Sequence, residues 1–145
     1  MNCEASYKIM ANPAGPVCNL ECTYCYYLEK KELYSESESF NMSEGVLEQY
    51  VKDYIGSVQG DEVEFLWQGG EPTLRGIGFF EKAIEYQSRY SKGKGILNTL
   101  QTNGTLLNKE WVKFLRNNSF LVGVSIDGPE HIHNRYRRYR DGSGT

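Results

Sequence analysis

The sequence contains no run of about 18 apolar residues, the length a membrane-crossing helix requires, so no membrane span is expected. Its first residues, Met1-Asn2-Cys3-Glu4-Ala5, lack the basic-then-apolar pattern of a secretion signal. Neither sign of charge dominates. Sixteen Lys and Arg face nineteen Asp and Glu, giving a formal net charge of −3, so bulk charge offers no attraction for a nucleic acid. Histidine is limited to two residues, His131 and His133, and cysteine to four. So few cysteines in a chain without a secretion signal point to metal or redox chemistry and away from disulfides.

What is present has the size and make-up of one globular domain: 145 residues, 39% hydrophobic and 24% charged. Strand-like runs occur at Tyr7–Ala11, Val63–Trp67, Ile96–Gln101 and Leu121–Ile126. Helical patterns lie between them. Tyr26–Leu33 is a helix candidate, and Ser43 is placed to cap a helix carrying Val46, Leu47, Tyr50, Val51, Tyr54 and Ile55. Another spans about Gly78 to Ser91 and can end at Gly93, and Asn108 caps a last one carrying Trp111, Val112 and Leu115. Residues 35–39 form a polar, acidic stretch expected to be flexible. Regular alternation of strand and helix specifies a parallel α/β sheet with right-handed crossovers. The closing Asp141-Gly142-Ser143-Gly144-Thr145 reads as a loop entering a further helix capped by Thr145, and with an apolar fourth strand at the edge it suggests the N-terminal piece of a larger protein.

Every unusual segment follows a strand, where parallel α/β folds place their sites. After the first strand come Cys18, Cys22 and Cys25, a C-x3-C-x2-C cluster. Three thiolates on one loop suit a soft metal centre but are one ligand short of a closed four-coordinate site. An iron–sulfur cube held by three cysteines keeps one iron open. The rival is zinc, with His131 or His133 as fourth ligand. Cys3 stands outside the motif and reads as a free thiol. Gly69-Gly70-Glu71 after the second strand is either a Gly-Gly turn with a solvated glutamate or a close backbone approach to a ligand. Ser125 ends the fourth strand, as a turn cap or a ligand hydroxyl. Residues 131–140, rich in Arg and Tyr, are a solvated face or a phosphate- or nucleic-acid-binding run.

These residues together resemble the N-terminal part of a radical S-adenosylmethionine (SAM) enzyme. The cysteine motif with aromatic Tyr24 before its last cysteine, and the Gly69-Gly70-Glu71-Pro72 loop, carry the likeness. Within that superfamily the chain is most similar to the anaerobic sulfatase-maturating group, through Gly15–Leu20, Trp67–Leu74, Gln101–Leu107 and Ser125–Pro129. The resemblance implies an α/β fold, the N-terminal part of a partial (β/α)6 TIM-like barrel cut after about four strands, with residues 1–145 forming part of a radical SAM domain. It implies a [4Fe–4S] cluster on Cys18, Cys22 and Cys25, with SAM on the fourth iron. Gly69, Gly70 and Glu71 would face the methionine end of SAM, Tyr24 the adenine, Ser125 the carboxylate or ribose, and Arg137 the carboxylate, with Arg135 and Arg138 as neighbouring registers.

The implied reaction is reductive cleavage of SAM to a 5′-deoxyadenosyl radical. That radical would oxidise a Cys or Ser of an unfolded sulfatase to formylglycine. The implied partners are a peptide substrate and a reduced flavodoxin- or ferredoxin-type donor, with neither nucleic acid nor membrane, in a cytoplasm poor in oxygen. No residue of this segment is assigned as catalytic acid or base. The alternatives are another peptide-modifying radical SAM maturase, such as a thioether-forming one, and a non-catalytic zinc-binding module.

Overall fold

Alternating apolar residues in four short strands build one sheet: β1 (Ile9–Ala11), β2 (Glu62–Trp67), β3 (Gly95–Thr102) and β4 (Leu121–Val124). The structure, a computed structural model, describes residues 7–34 and 39–145, so Cys3 and most of the polar 35–39 stretch lie outside the described residues. The strands are parallel and lie in chain order, β1-β2-β3-β4. Ile9 faces Phe65, Phe65 faces Asn98, and Leu100 faces Val122. Winding in one direction with helices on one face is the geometry of a barrel arc.

Two of the helices start at capping residues. α1 (Leu28–Lys31) follows the cysteine loop. Ahead of α2 (Glu44–Ser57), Ser43 Oγ accepts the Val46 N–H at 3.3 Å. Ahead of α4 (Lys109–Asn117), Asn108 Oδ1 accepts the Glu110 and Trp111 N–H groups, both at 3.0 Å. α3 (Gly76–Tyr90) stops before Lys92 and Gly93, both at positive φ, so the expected glycine terminator operates with a lysine beside it. The Lys94 ammonium then donates to the Ile55 and Val58 carbonyls, satisfying the negative end of α2.

Three helices bury one face of the sheet. Leu47, Val51 and Ile55 of α2, Phe80 and Ala83 of α3, and Trp111 and Leu115 of α4 pack on Val63, Phe65, Trp67 and Leu100. Aromatic edges hold this layer: Trp67 meets Phe80 at 5.7 Å and Phe80 meets Trp111 at 5.6 Å, both T-shaped. One polar group crosses the core. Asn98 Oδ1 accepts from Trp67 Nε1 (2.8 Å) and Gln87 Nε2 (2.9 Å), and Asn98 Nδ2 donates to Gln87 Oε1 (2.9 Å). Among the described residues no helix packs on the other face of the sheet. That face presents Met10, Leu97 and Leu121 exposed, with Glu64 joining Lys8 and Thr99. Among the described residues no helix is long and apolar enough to cross a membrane.

Three features depart from the sequence expectation. α1 is a single turn, Leu28–Lys31, shorter than the predicted Tyr26–Leu33; Tyr27 offers it no side-chain cap, and Glu32 and Leu33 beyond it are exposed. A 3-10 turn at Pro72–Arg75 and helix α5 (Glu130–Tyr136) were not anticipated. Residues 143–145 fold back on α5, where the Thr145 N–H donates to Asn134 Oδ1 at 3.0 Å.

Candidate functional site

The loops leaving the carboxyl ends of the four strands converge. Gly69 and Gly70, both at positive φ, sit directly under the loop that precedes Cys18. A Cβ on Gly70 would stand 2.3 Å from the Val17 carbonyl oxygen and 2.5 Å from that of Gly15. One on Gly69 would stand 2.4 Å from the Asn12 side chain. A side chain at either position is therefore opposed by the contact between two loops of the protein, a constraint beside the cofactor approach expected from sequence.

Glu71 ties the second loop to the third. It is 1% exposed. Its Oε1 accepts the Thr73 N–H (3.0 Å), the Thr73 hydroxyl and the Thr102 hydroxyl (2.8 Å), and its Oε2 accepts the Asn103 N–H at 2.8 Å. The Glu71 N–H in turn donates to the Val17 carbonyl at 2.9 Å. A buried carboxylate is tolerated because donors surround it.

The three motif cysteines are free thiols lining one cleft of about 130 Å³ with Gly69, Gly70, Glu71, Gln101, Ser125 and Arg137. Burial pushes the Cys18 thiol up, and the Leu20 N–H, donating to its Sγ at 3.3 Å, works in the opposite direction. Burial also pushes the Cys22 thiol up, with the Arg137 guanidinium opposing. Asn19 Nδ2 donates to Thr105 Oγ1 (2.8 Å), and Asn103 Nδ2 donates to Asn19 Oδ1 (2.9 Å), which binds the cysteine loop to the β3 loop.

A second clasp comes from the far end of the chain. The Glu21 N–H donates to the Arg138 carbonyl (2.8 Å), the Thr23 N–H to the Tyr136 carbonyl (2.9 Å), and Arg140 Nη2 to the Cys18 carbonyl (3.1 Å). Residues 136–140 thus lie along the cysteine loop as a strand-like rail, with Leu20 and Tyr139 bridged. Asp127 completes it, accepting the Tyr24 hydroxyl at 2.5 Å and Arg137 Nε at 3.0 Å. These two donors hold the Asp127 carboxyl below its usual range, while burial and Asp127 push the Tyr24 hydroxyl up to about 12.

Cys18, Cys22, Cys25, Gly69, Gly70, Glu71, Ser125 and Arg137 therefore share one cleft, and Tyr24 stands beside it, half exposed, under the Arg137 guanidinium. Sequence reasoning missed Asn103, Gln101 and Asp127. Gln101 Nε2 donates to Ser125 Oγ at 2.8 Å, which orients the serine. The Gln-Thr-Asn-Gly and Asp-Gly-Pro strings were the available signals. The histidines do not join the cysteines: His133 Nδ1 accepts the Asp127 N–H at 3.3 Å, its Nε2 meets Thr145 Oγ1, and neither histidine lines the cleft. A larger depression, about 650 Å³, runs along Lys109, Lys113 and Arg116 of α4 and shares no lining residue with the cysteine cleft.

Among the described residues no three His, Cys, Asp or Glu side chains gather around one ion-sized point. Three thiols can each bind a separate iron of a cluster, whereas a closed zinc site needs a fourth ligand, and neither histidine lines the cleft. The donor set, three thiols facing a polar cleft with N–H groups aimed at Cys18, suits such a cluster.

Comparison with known proteins follows the same line. The radical SAM superfamily model matches residues 12–144. The serine-type anaerobic sulfatase-maturating enzyme of Bacteroides thetaiotaomicron is 49% identical over 134 residues, 92% of this chain and 32% of that protein. The cysteine-type enzyme of Clostridium perfringens is 45% identical over 132 residues, 90% of this chain and 35% of that protein. The structure of native anSMEcpe with bound AdoMet and Cp18Cys peptide superposes with a TM-score of 0.84 at 44% identity, covering 95% of this chain and 36% of that one. The chain spans about a third of the length of the curated relatives it matches.

Proposed function

Because the chain belongs to the radical SAM superfamily, we propose that residues 1–145 are the N-terminal portion of a radical SAM domain, and that their cysteine cleft holds a [4Fe–4S] cluster and SAM in a sulfatase-maturating oxidoreductase. The observation that carries this reading is the meeting of Cys18, Cys22 and Cys25 with Gly69-Gly70-Glu71, Ser125 and Arg137 in one cleft. When bound, the cluster and SAM would supply one-electron cleavage of SAM to a 5′-deoxyadenosyl radical.

The chain's own groups have the capacity this requires. Cys18, Cys22 and Cys25 supply three thiolates. Among the described residues Glu71 Oε2 has one donor, the Asn103 N–H, and would be the oxygen to accept from the SAM ammonium. Ser125 Oγ accepts from Gln101, so its own hydrogen is free to donate to a carboxylate or ribose. Arg137 commits Nε to Asp127, which leaves its terminal nitrogens for an anionic group. Tyr24, held by Asp127, would flank the adenine.

The substrate in this reading is an unfolded sulfatase whose Cys or Ser becomes formylglycine. The electron comes from a reduced flavodoxin- or ferredoxin-type protein in the cytoplasm. Assay with Cys-containing and Ser-containing sulfatase peptides distinguishes the two activities named for this chain's relatives.

The test uses the full-length protein purified without oxygen. Iron with acid-labile sulfide, a reducible cluster by EPR, and reductant-dependent 5′-deoxyadenosine are expected, and Cys22→Ala should lose all three. Stoichiometric zinc without sulfide in correctly folded protein would overturn the proposal.

A further inference from the structure

We infer that Asn103 is a positioning residue that sets the reduction potential of the cluster through Cys18. The inference rests on the cluster reading above. Asn103 Nδ2 lies 3.6 Å from Cys18 Sγ, within the range of an N–H donor to sulfur. Its amide cannot be turned the other way. Asn103 Oδ1 accepts the Thr105 N–H at 3.0 Å and the Thr105 hydroxyl at 2.7 Å, which fixes the oxygen on that side. The amide nitrogen therefore faces the cysteine loop with two hydrogens. One goes to Asn19 Oδ1 at 2.9 Å, and the other is directed at Cys18 Sγ.

The surrounding contacts hold this donor in place. Asn19 Nδ2 donates to Thr105 Oγ1, closing a ring of Asn19, Thr105 and Asn103. The Asn103 backbone N–H is fixed by Glu71. With the Leu20 N–H, Cys18 Sγ receives two donors from the protein. A ring built only to join two loops would be complete without the contact to sulfur.

The physical consequence follows from charge. Reduction by one electron from an external donor adds negative charge to the cluster and its thiolates. A fixed N–H dipole pointing at a ligand sulfur stabilises the reduced form more than the oxidised one and raises the potential. Removing the donor lowers the potential, and replacing it with a carboxylate lowers it further.

The experiment is an EPR-monitored redox titration of the full-length, cluster-loaded protein against its Asn103→Ala and Asn103→Asp variants. The expected result is a shift to more negative potential in Asn103→Ala and a larger one in Asn103→Asp, at unchanged iron content. Unchanged potentials in variants that keep the cluster would overturn the inference while leaving the cluster assignment intact. Absence of any cluster in the native protein would overturn the functional reading itself. A measurement on native protein covers variants that fail to load. Labelling asparagine with nitrogen-15 at its side-chain amide should give a weak hyperfine coupling to the reduced cluster that vanishes with unlabelled asparagine. No coupling in the labelled native protein would also overturn it.

Discussion

Gly70 lies so close beneath Val17 that a Cβ on it would stand 2.3 Å from the Val17 carbonyl oxygen. The contact is backbone on backbone, so no rotamer change relieves it. Gly70→Ala also takes on the cost of a left-handed φ of 52°, about 1 kcal/mol. The variant is expected to lose roughly 2–4 kcal/mol, because the cysteine loop must also shift. Urea unfolding checks the stability, and iron content of the full-length protein checks the loop.

Glu71→Gln tests the carboxylate that joins the second and third loops. An amide offers one acceptor oxygen where the carboxylate offers two. Its NH2 group would then face either the Asn103 N–H or the donors at Oε1. A donor facing a donor in a buried site costs about 2 kcal/mol. The variant should unfold at lower denaturant with an unchanged slope.

Asn98→Leu removes the acceptor shared by Trp67 Nε1 and Gln87 Nε2 in the core. Two buried donors lose their partner, for an expected loss of about 2–4 kcal/mol. The Asn98→Leu/Gln87→Leu double variant should lose less than the sum of the single changes, because Gln87 is then no longer left unsatisfied. A thermodynamic cycle from chemical denaturation measures both.

The clasp of Tyr24, Asp127 and Arg137 predicts two pH limits. Asp127 has its folded pKa depressed from 3.8, so its contribution is present above that value and is lost as pH falls through the lower folded one. Tyr24 is raised from 10.0 to about 12, so its contribution is full below pH 10.0 and is lost as pH rises toward about 12. Asp127→Asn should flatten the acid limb of the stability curve, and Tyr24→Phe the alkaline limb. Denaturation midpoints across pH test each limb, and an unaltered acid limb in Asp127→Asn would remove that carboxylate from the account.

Much of the scaffold was legible because its signals are local. Ser43 and Asn108 cap α2 and α4 as their hydroxyl and amide chemistry dictates. The alternation of strand and helix produced the parallel order observed. Helix α5 was hidden because none of its residues is buried, so it carries no apolar period to read. The rail at residues 136–140 was hidden for a different reason. Its bonds to Cys18, Glu21 and Thr23 are made by backbone groups or a single arginine across more than a hundred residues, and such pairing leaves no spacing in the sequence. The cysteine and glycine loops were visible as motifs. The internal bonds of Glu71 and Asn103 were not, because a hydrogen-bond partner follows from folded geometry and not from residue type.

That rail has a consequence for biosynthesis. The ribosome emits Cys18, Cys22 and Cys25 long before Tyr136, Arg138 and Arg140, the groups that satisfy the backbone around them. A nascent chain therefore exposes its thiols as an unsupported loop until those later residues emerge. If the cleft takes up the proposed cluster, iron and sulfide delivered to a finished pocket would arrive only after those later residues have emerged.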